Sequence, residues 1–65
     1  MVKFTFYVST PYGGYHNTHY AKSRARAKEM INRWNTEFKE TEYSVRLVSV
    51  NRTFESKAPE GYTVW

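Results

Sequence analysis

The chain has 65 residues with ten Lys or Arg, six acidic residues and no cysteine, which gives a formal net charge of +4. A chain this short forms one domain, residues 1–65, with a small core, because it buries only about 60% of the surface that its unfolded form exposes. The lack of cysteine excludes a disulfide framework and a thiolate zinc site. No apolar run approaches the roughly 20 residues that span a bilayer. We therefore expect a cytoplasmic protein without a membrane partner.

The first predicted element is a strand over residues 2–8. Val2, Phe4, Phe6 and Val8 alternate with polar residues or Tyr7, and this period of two is typical of a strand with one buried face. The next residues, 10–14, contain one proline and two glycines, which predicts a chain reversal.

Residues 15–21 are open to two interpretations. They form either the return strand of a hairpin or an early start of the following helix, with Asn17 or Thr18 as its cap. We favour the strand, because aromatic and β-branched residues suit a pleated surface and Ser23 already supplies a later helix cap.

An amphipathic helix is predicted within residues 21–38. Its apolar residues recur at helical spacing, which places them in one stripe. These residues are Ala27, Met30, Ile31, Trp34 and Phe38. Glu29 and Arg33 form an i to i+4 pair in the favourable order, and Arg33 with Glu37 forms another pair at the same spacing.

The segment 43–50 predicts a third strand. Its apolar positions change parity between Leu47 and Val48, which indicates either burial on both faces or a β-bulge. Residues 51–59 are predicted to be irregular, and residues 61–65 to pair as a fourth strand or to fold against the sheet. The predicted fold class is α+β, a three- or four-stranded sheet with the element order β-β-α-β and the helix on one face. In the four-stranded alternative, the C-terminal segment is the additional strand. The predicted core is Phe4, Phe6, Val8, Ala27, Met30, Ile31, Trp34, Phe38, Val45 and Leu47.

The positive charge is concentrated on the helix. Residues 1–21 carry a formal charge of +1, residues 22–39 carry +4, and residues 40–65 carry −1. A basic patch attracts polyanions or an acidic protein surface, although such residues can also serve only to solvate the outer face of a helix.

The segment Ala21-Lys22-Ser23-Arg24-Ala25-Arg26-Ala27-Lys28 follows the predicted hairpin, with an Ala-x-Ser turn into a helix of alternating alanines and bases. With that hairpin it resembles small phage-encoded β-β-α-β proteins and, distantly, a small archaeal ribosomal protein with a strand-helix-strand unit. The resemblance covers about a third of the chain and transfers no functional residue. It implies a non-catalytic protein that acts on a host enzyme or defence system, in the cytoplasm of the host cell.

Candidate catalytic and metal-binding residues are few. His16 and His19 have the spacing H-x-x-H, which on a strand places them on opposite faces, and no Cys or Asp lies nearby to complete a metal site. A histidine that acts as a general base needs a positioned nucleophile or carboxylate beside it, and the sequence shows no motif for such a partner. We therefore expect no enzyme, no metal and no cofactor.

Two function classes remain. The first is a protein-binding modulator or inhibitor that docks on a host or defence protein through a Tyr-rich turn, an exposed sheet edge and the basic cluster. Its candidate residues are Tyr12, Tyr15, Tyr20, Lys22, Arg24, Arg26 and Lys28. The tyrosines can instead fold back over the sheet edge.

The alternative is direct binding of RNA or DNA, with the helix bases on phosphates and Lys3, Tyr7 and Arg46 on an exposed sheet face. A homodimer formed by edge-strand pairing is compatible with either function.

Overall fold

The computed structural model describes residues 1–54 and 57–65. Three strands, β1 (Val2–Thr10), β2 (Gly13–Ala21) and β3 (Ser44–Arg52), form an antiparallel sheet in the order β2-β1-β3. One helix, α1 (Arg24–Phe38), lies between β2 and β3 in sequence and packs on one face of the sheet. The predicted α+β fold with β-β-α-β order is confirmed.

The hairpin and the helix start agree with the sequence pattern. β1 and β2 pair from Val2 opposite Ala21 to Thr10 opposite Gly13, which leaves a two-residue turn. The strand interpretation of residues 15–21 is therefore confirmed. α1 begins after Ser23, whose hydroxyl accepts a hydrogen bond from the Arg26 amide at 3.1 Å. This contact satisfies one of the free amides of the first turn.

A β-bulge accounts for the change of parity in β3. Thr5 lies opposite Ser49 and Phe6 opposite Leu47, so Val48 is an extra residue in β3. Val48 is 49% exposed, which rules out burial on both faces. β3 then continues to Arg52, two residues into the segment predicted to be irregular. The irregular prediction is wrong for residues 51–52, and for residues 55–56 it lies outside the described residues.

The core lies between β1 and α1. Seven of the ten predicted core residues are buried, while Trp34, Phe38 and Leu47 are half-buried and pack against them. Val2, Tyr20 and Ala21 are also buried. The alternating side chains of β1 carry most of this contact, because β1 is the central strand and its inner face is covered along its whole length.

The C-terminal segment folds against the sheet as a short addition to β2. Val64 forms one parallel bridge with Tyr20, and the Trp65 amide donates to the Tyr20 carbonyl at 2.8 Å. The Trp65 ring meets the Trp34 ring edge to face, with 5.5 Å between centroids. Packing against the sheet is confirmed, but the pairing is a single bridge and not a full strand in the part of the chain that is described.

Asn35 fixes the lateral position of α1. Its side-chain amide donates to the Val45 carbonyl at 2.7 Å, and its side-chain oxygen accepts from the Val45 amide at 2.8 Å. These bonds hold the helix on the β3 side of the sheet. Tyr15 and Asn17 of β2, which share the helix-facing side with Phe6 and Val8, remain exposed.

We expect Asn35→Ala to lower the free energy of unfolding by about 2 kcal/mol, because it leaves a half-buried backbone donor and acceptor unpaired. Urea denaturation measures this change. Asn32→Ala is the matched control, since Asn32 is an exposed residue of the same helix, and its effect should stay below about 0.5 kcal/mol. Equal effects of the two substitutions would contradict the assigned role of Asn35.

Candidate functional site

The sheet face opposite α1 carries an aromatic and basic cluster. Tyr7 of β1 lies opposite His16 of β2 on one side and Arg46 of β3 on the other. The Tyr7 and His16 ring centroids are 5.0 Å apart, and the guanidinium carbon of Arg46 is 5.9 Å from the Tyr7 centroid. The structure thus brings together two residues singled out in the sequence, Tyr7 and Arg46, and adds His16.

The Tyr7 side chain reaches across to β2, where its hydroxyl end lies over Gly14. A Cβ atom on Gly14 would overlap the Tyr7 hydroxyl and lie 2.7 Å from the Val8 carbonyl oxygen. Only glycine accommodates the ring at this distance. The Tyr7 hydroxyl end is therefore held against the β2 backbone at Gly14.

Lys3 lies on the same open face as Tyr7, four residues earlier in β1 and near the start of that strand. Its neighbours in register are Tyr20 and Asn51. Tyr20 is only 5% exposed, because Tyr62 of the C-terminal segment packs edge to face on it with 5.4 Å between centroids. Tyr20 is thus unavailable to a partner in this structure. Tyr62 is 46% exposed and presents an aromatic surface at this end.

A basic cleft of about 350 Å³ lies at this end of the sheet. Its lining residues come from all four elements or their immediate ends, and its charged side chains are all basic among the described residues. They are Met1, Val2, Lys22, Ser23, Arg24 and Arg52. Lys22 and Arg24 are predicted site residues. Arg52 could not be identified from the sequence, because it reaches the cleft only through the pairing of β3 with β1 opposite Val2.

The first turn of α1 places positive charge where it costs stability. The described helix has no acid in its first turn, which instead carries Arg24 and Arg26. The N-terminus of a helix is already positive, and a like charge there is unfavourable by roughly 0.3–1 kcal/mol. The bases of this turn therefore do not stabilise the helix end. Their placement strengthens the positive potential of the cleft.

The predicted partner-binding residues do not form one surface. Tyr12, which is 95% exposed, and Tyr15 lie near the β1–β2 turn. Lys22 and Arg24 follow the other end of β2, about 30 Å away at 3.3 Å per residue.

The helix charges are partly neutralised within α1. Arg26 pairs with Glu29 at 3.0 Å, and Arg33 pairs with the same carboxylate at 3.5 Å. The predicted pair of Glu29 and Arg33 is confirmed, whereas Arg33 and Glu37 form no ion pair within the described residues. Lys28 is exposed, one turn after Arg24 on the outer side of the helix.

An aromatic groove of about 280 Å³ lies where α1 leaves β2 uncovered. It is lined by Phe6, Val8, Tyr15, His19, Trp34, Phe38, Tyr43 and Val45. The His19 ring stacks on Phe6 with 5.4 Å between centroids, and its Nδ1 is buried without a hydrogen-bond partner among the described residues. Burial lowers the pKa of His19 below 6.5, because the charged form loses solvation there.

The two histidines lie on opposite faces, as the strand geometry predicted, since His16 contacts Tyr7 and His19 contacts Phe6. No group of three or more His, Cys, Asp or Glu side chains suited to a metal ion occurs within residues 1–54 and 57–65. In the same ranges, no helix has the length and apolar character needed to cross a membrane.

Comparisons with protein-family models, curated proteins and solved structures give no match to this chain.

We expect the protein to lose stability as the pH falls below about 6.5, the ordinary pKa of histidine. Because the pKa of His19 is lower in the folded state, the unfolded chain binds more protons in this range. The contribution of neutral His19 to the free energy of unfolding is therefore fully present above about pH 6.5, and it is lost as the pH falls toward the pKa of His19 in the folded state. Thermal unfolding between about pH 7.5 and about pH 5.5 measures the effect, above the range in which carboxylates titrate.

His19→Gln should reduce this pH dependence, whereas the matched variant His16→Gln retains His19 and should keep it. An unchanged slope in His19→Gln would show that another group is responsible.

Proposed function

We propose that this chain is a non-catalytic binding protein for single-stranded nucleic acid. The observation that supports this proposal best is the adjacency of the basic cleft, with Lys22, Arg24 and Arg52, to the open sheet face that carries Lys3 and Tyr7. Phosphates and unstacked bases are the two chemical groups that such a surface recognises together.

The basic side chains of the cleft supply the phosphate contacts. Lys22 lies between β2 and α1, Arg24 begins α1 and Arg52 ends β3, and none of them forms an ion pair within the described residues. The partial positive charge of the α1 N-terminus adds to their field. The acids Glu37 and Glu40 lie at or just beyond the other end of the helix. A polyanion is therefore attracted to one end of the molecule.

The open face supplies the stacking contacts. Tyr7 lies against the sheet over Gly14, with His16 at its side, and Tyr62 lies near Lys3 over Tyr20. Tyr7 is four residues after Lys3 in β1, which corresponds to about 13 Å. Aromatic surface therefore lies at both ends of this span.

The aromatic surface favours a single strand over a duplex. Stacking on a side chain requires a base that has left its own stack, and such contacts are worth about 1–3 kcal/mol per base. Phosphate contacts alone would not distinguish the two forms.

The test is fluorescence anisotropy of labelled single-stranded and duplex oligonucleotides at about 50 mM and about 200 mM salt. We expect tighter binding of the single strand. The variant Lys22→Gln/Arg24→Gln/Arg52→Gln should bind weakly, and the slope of its log affinity against log salt should be smaller by about 2, because each single-strand phosphate contact contributes about 0.7. This variant should be at least as stable as the parent, since Arg24 opposes the helix dipole.

The matched control is Lys28→Gln/Arg33→Gln/Lys39→Gln, which removes the same formal charge from other parts of α1 and from its C-cap. It should retain most of the affinity. Equal losses in both triple variants would indicate general charge attraction and contradict a defined site. Tyr7→Thr should weaken binding by about 5- to 150-fold without changing the salt slope, because a stacking contact releases no counterion.

A second candidate function is docking on a protein, as the resemblance to phage modulators of host or defence proteins implies. The aromatic groove beside Tyr15 favours it, because an exposed apolar surface is typical of protein interaction sites. Absence of oligonucleotide binding at low salt would favour this second candidate.

A further inference from the structure

We infer that the outer edge of β2 pairs with the same edge of a second copy of this chain, in antiparallel orientation. This surface, residues 13–19 of β2, lies away from the basic cleft. The inference is independent of the proposed binding of nucleic acid and goes beyond it.

The backbone of β2 has groups available for such pairing. The amide and carbonyl of Tyr20 bond to the C-terminal segment and therefore point away from β1. Backbone direction alternates along a strand, so Gly14, His16 and Thr18 also direct their amides and carbonyls outward. Within the part of the chain that is described, the C-terminal segment hydrogen-bonds to this edge only at Tyr20 and Lys22. Among the described residues, only the Thr18 amide within residues 14–18 has such a partner, the Asn17 side-chain oxygen at 2.9 Å.

The other edge of the sheet is protected in three ways that β2 lacks. The Asn35 side chain hydrogen-bonds to the backbone amide and carbonyl of Val45. The bulge at Val48 interrupts regular pairing. Arg46 and Arg52 place positive charge along β3. Bulges and charged side chains are the usual means of blocking edge pairing. β2 has no charged residue from Gly13 to Ala21. Two copies can therefore meet along β2 without like charges facing each other.

The free length of the edge determines the register. Pairing that uses all of residues 13–19 is centred on His16, which then lies opposite His16 of the second copy. Gly13 and Gly14 of one copy lie opposite His19 and Thr18 of the other, next to the C-terminal segment. Glycine has no side chain that would contact that segment. The exposed Tyr15 side chains of the two copies become diagonal neighbours on the helix-facing side, within reach of each other.

The resulting six-stranded sheet has a defined symmetry. The two Tyr7 clusters lie on one continuous open face, on either side of the twofold axis. The two basic clefts lie at opposite ends, because β2 of one copy runs antiparallel to β2 of the other.

Sedimentation velocity over a wide range of protein concentration tests the association. We expect a reversible monomer–dimer equilibrium. His16→Cys tests the register, because the chain has no other cysteine. Directly opposite residues in a hydrogen-bonded antiparallel pair have Cα atoms about 5.5 Å apart, which permits a disulfide. Thr18→Cys is the matched control on the same face, since its two copies would lie about 13 Å apart, too far for a disulfide.

Mild oxidation should therefore cross-link His16→Cys and not Thr18→Cys. Equal cross-linking of both variants, or a monomer at every concentration, would overturn the inference. His16→Pro removes the central outward amide and should abolish the dimer. If that variant fails to fold, His16→Lys, which places two like charges opposite each other, should raise the dissociation constant by about tenfold while His16→Asn should not. A dimer unaffected by either substitution would also refute pairing through β2.

Discussion

The position of one helix on three strands determines most of this structure. A helix with its side chains is about 10 Å wide, close to the spacing of two or three strands. The two hydrogen bonds of Asn35 to Val45 place α1 over β3 and β1. The inner face of β2 is consequently left to the aromatic side chains and to Trp65. The groove and the packing of the Trp65 ring follow from this off-centre placement, whereas the free edge of β2 follows from its outer position in the sheet.

Charge is arranged along the molecule independently of the core. The described bases at the start of β1, the start of α1 and the end of β3 meet at one end because the antiparallel sheet brings Val2, Ala21 and Arg52 into one row. The helix dipole has the same direction as this charge asymmetry. A protein optimised only for stability would have acids at this helix terminus. The opposite choice supports a role in binding anions.

The elements were predictable from local pattern, whereas the site was predictable only in part. The hairpin, the Ser23 cap and the bulge at Val48 depend on periodicity and turn chemistry within a few residues. Tyr7 and Arg46 could be assigned to one face for the same reason. Arg52 and Tyr62 enter the site through pairings between distant parts of the chain. No local pattern indicates those pairings or the two hydrogen bonds between Asn35 and Val45.

The central position of β1 also has a consequence for the order of folding. β1 joins β2 through a two-residue turn, but it joins β3 in a register that brings Val2 next to Arg52. The first pairing closes a very short loop, and the second closes one that includes the hairpin and the whole helix. Loop-closure entropy therefore favours the hairpin as an early structure and delays β3. Before β3 pairs with β1, both outer edges of the β1–β2 hairpin are unpaired. The chain is most prone to aggregation at that stage, because unpaired strand edges can pair with other chains.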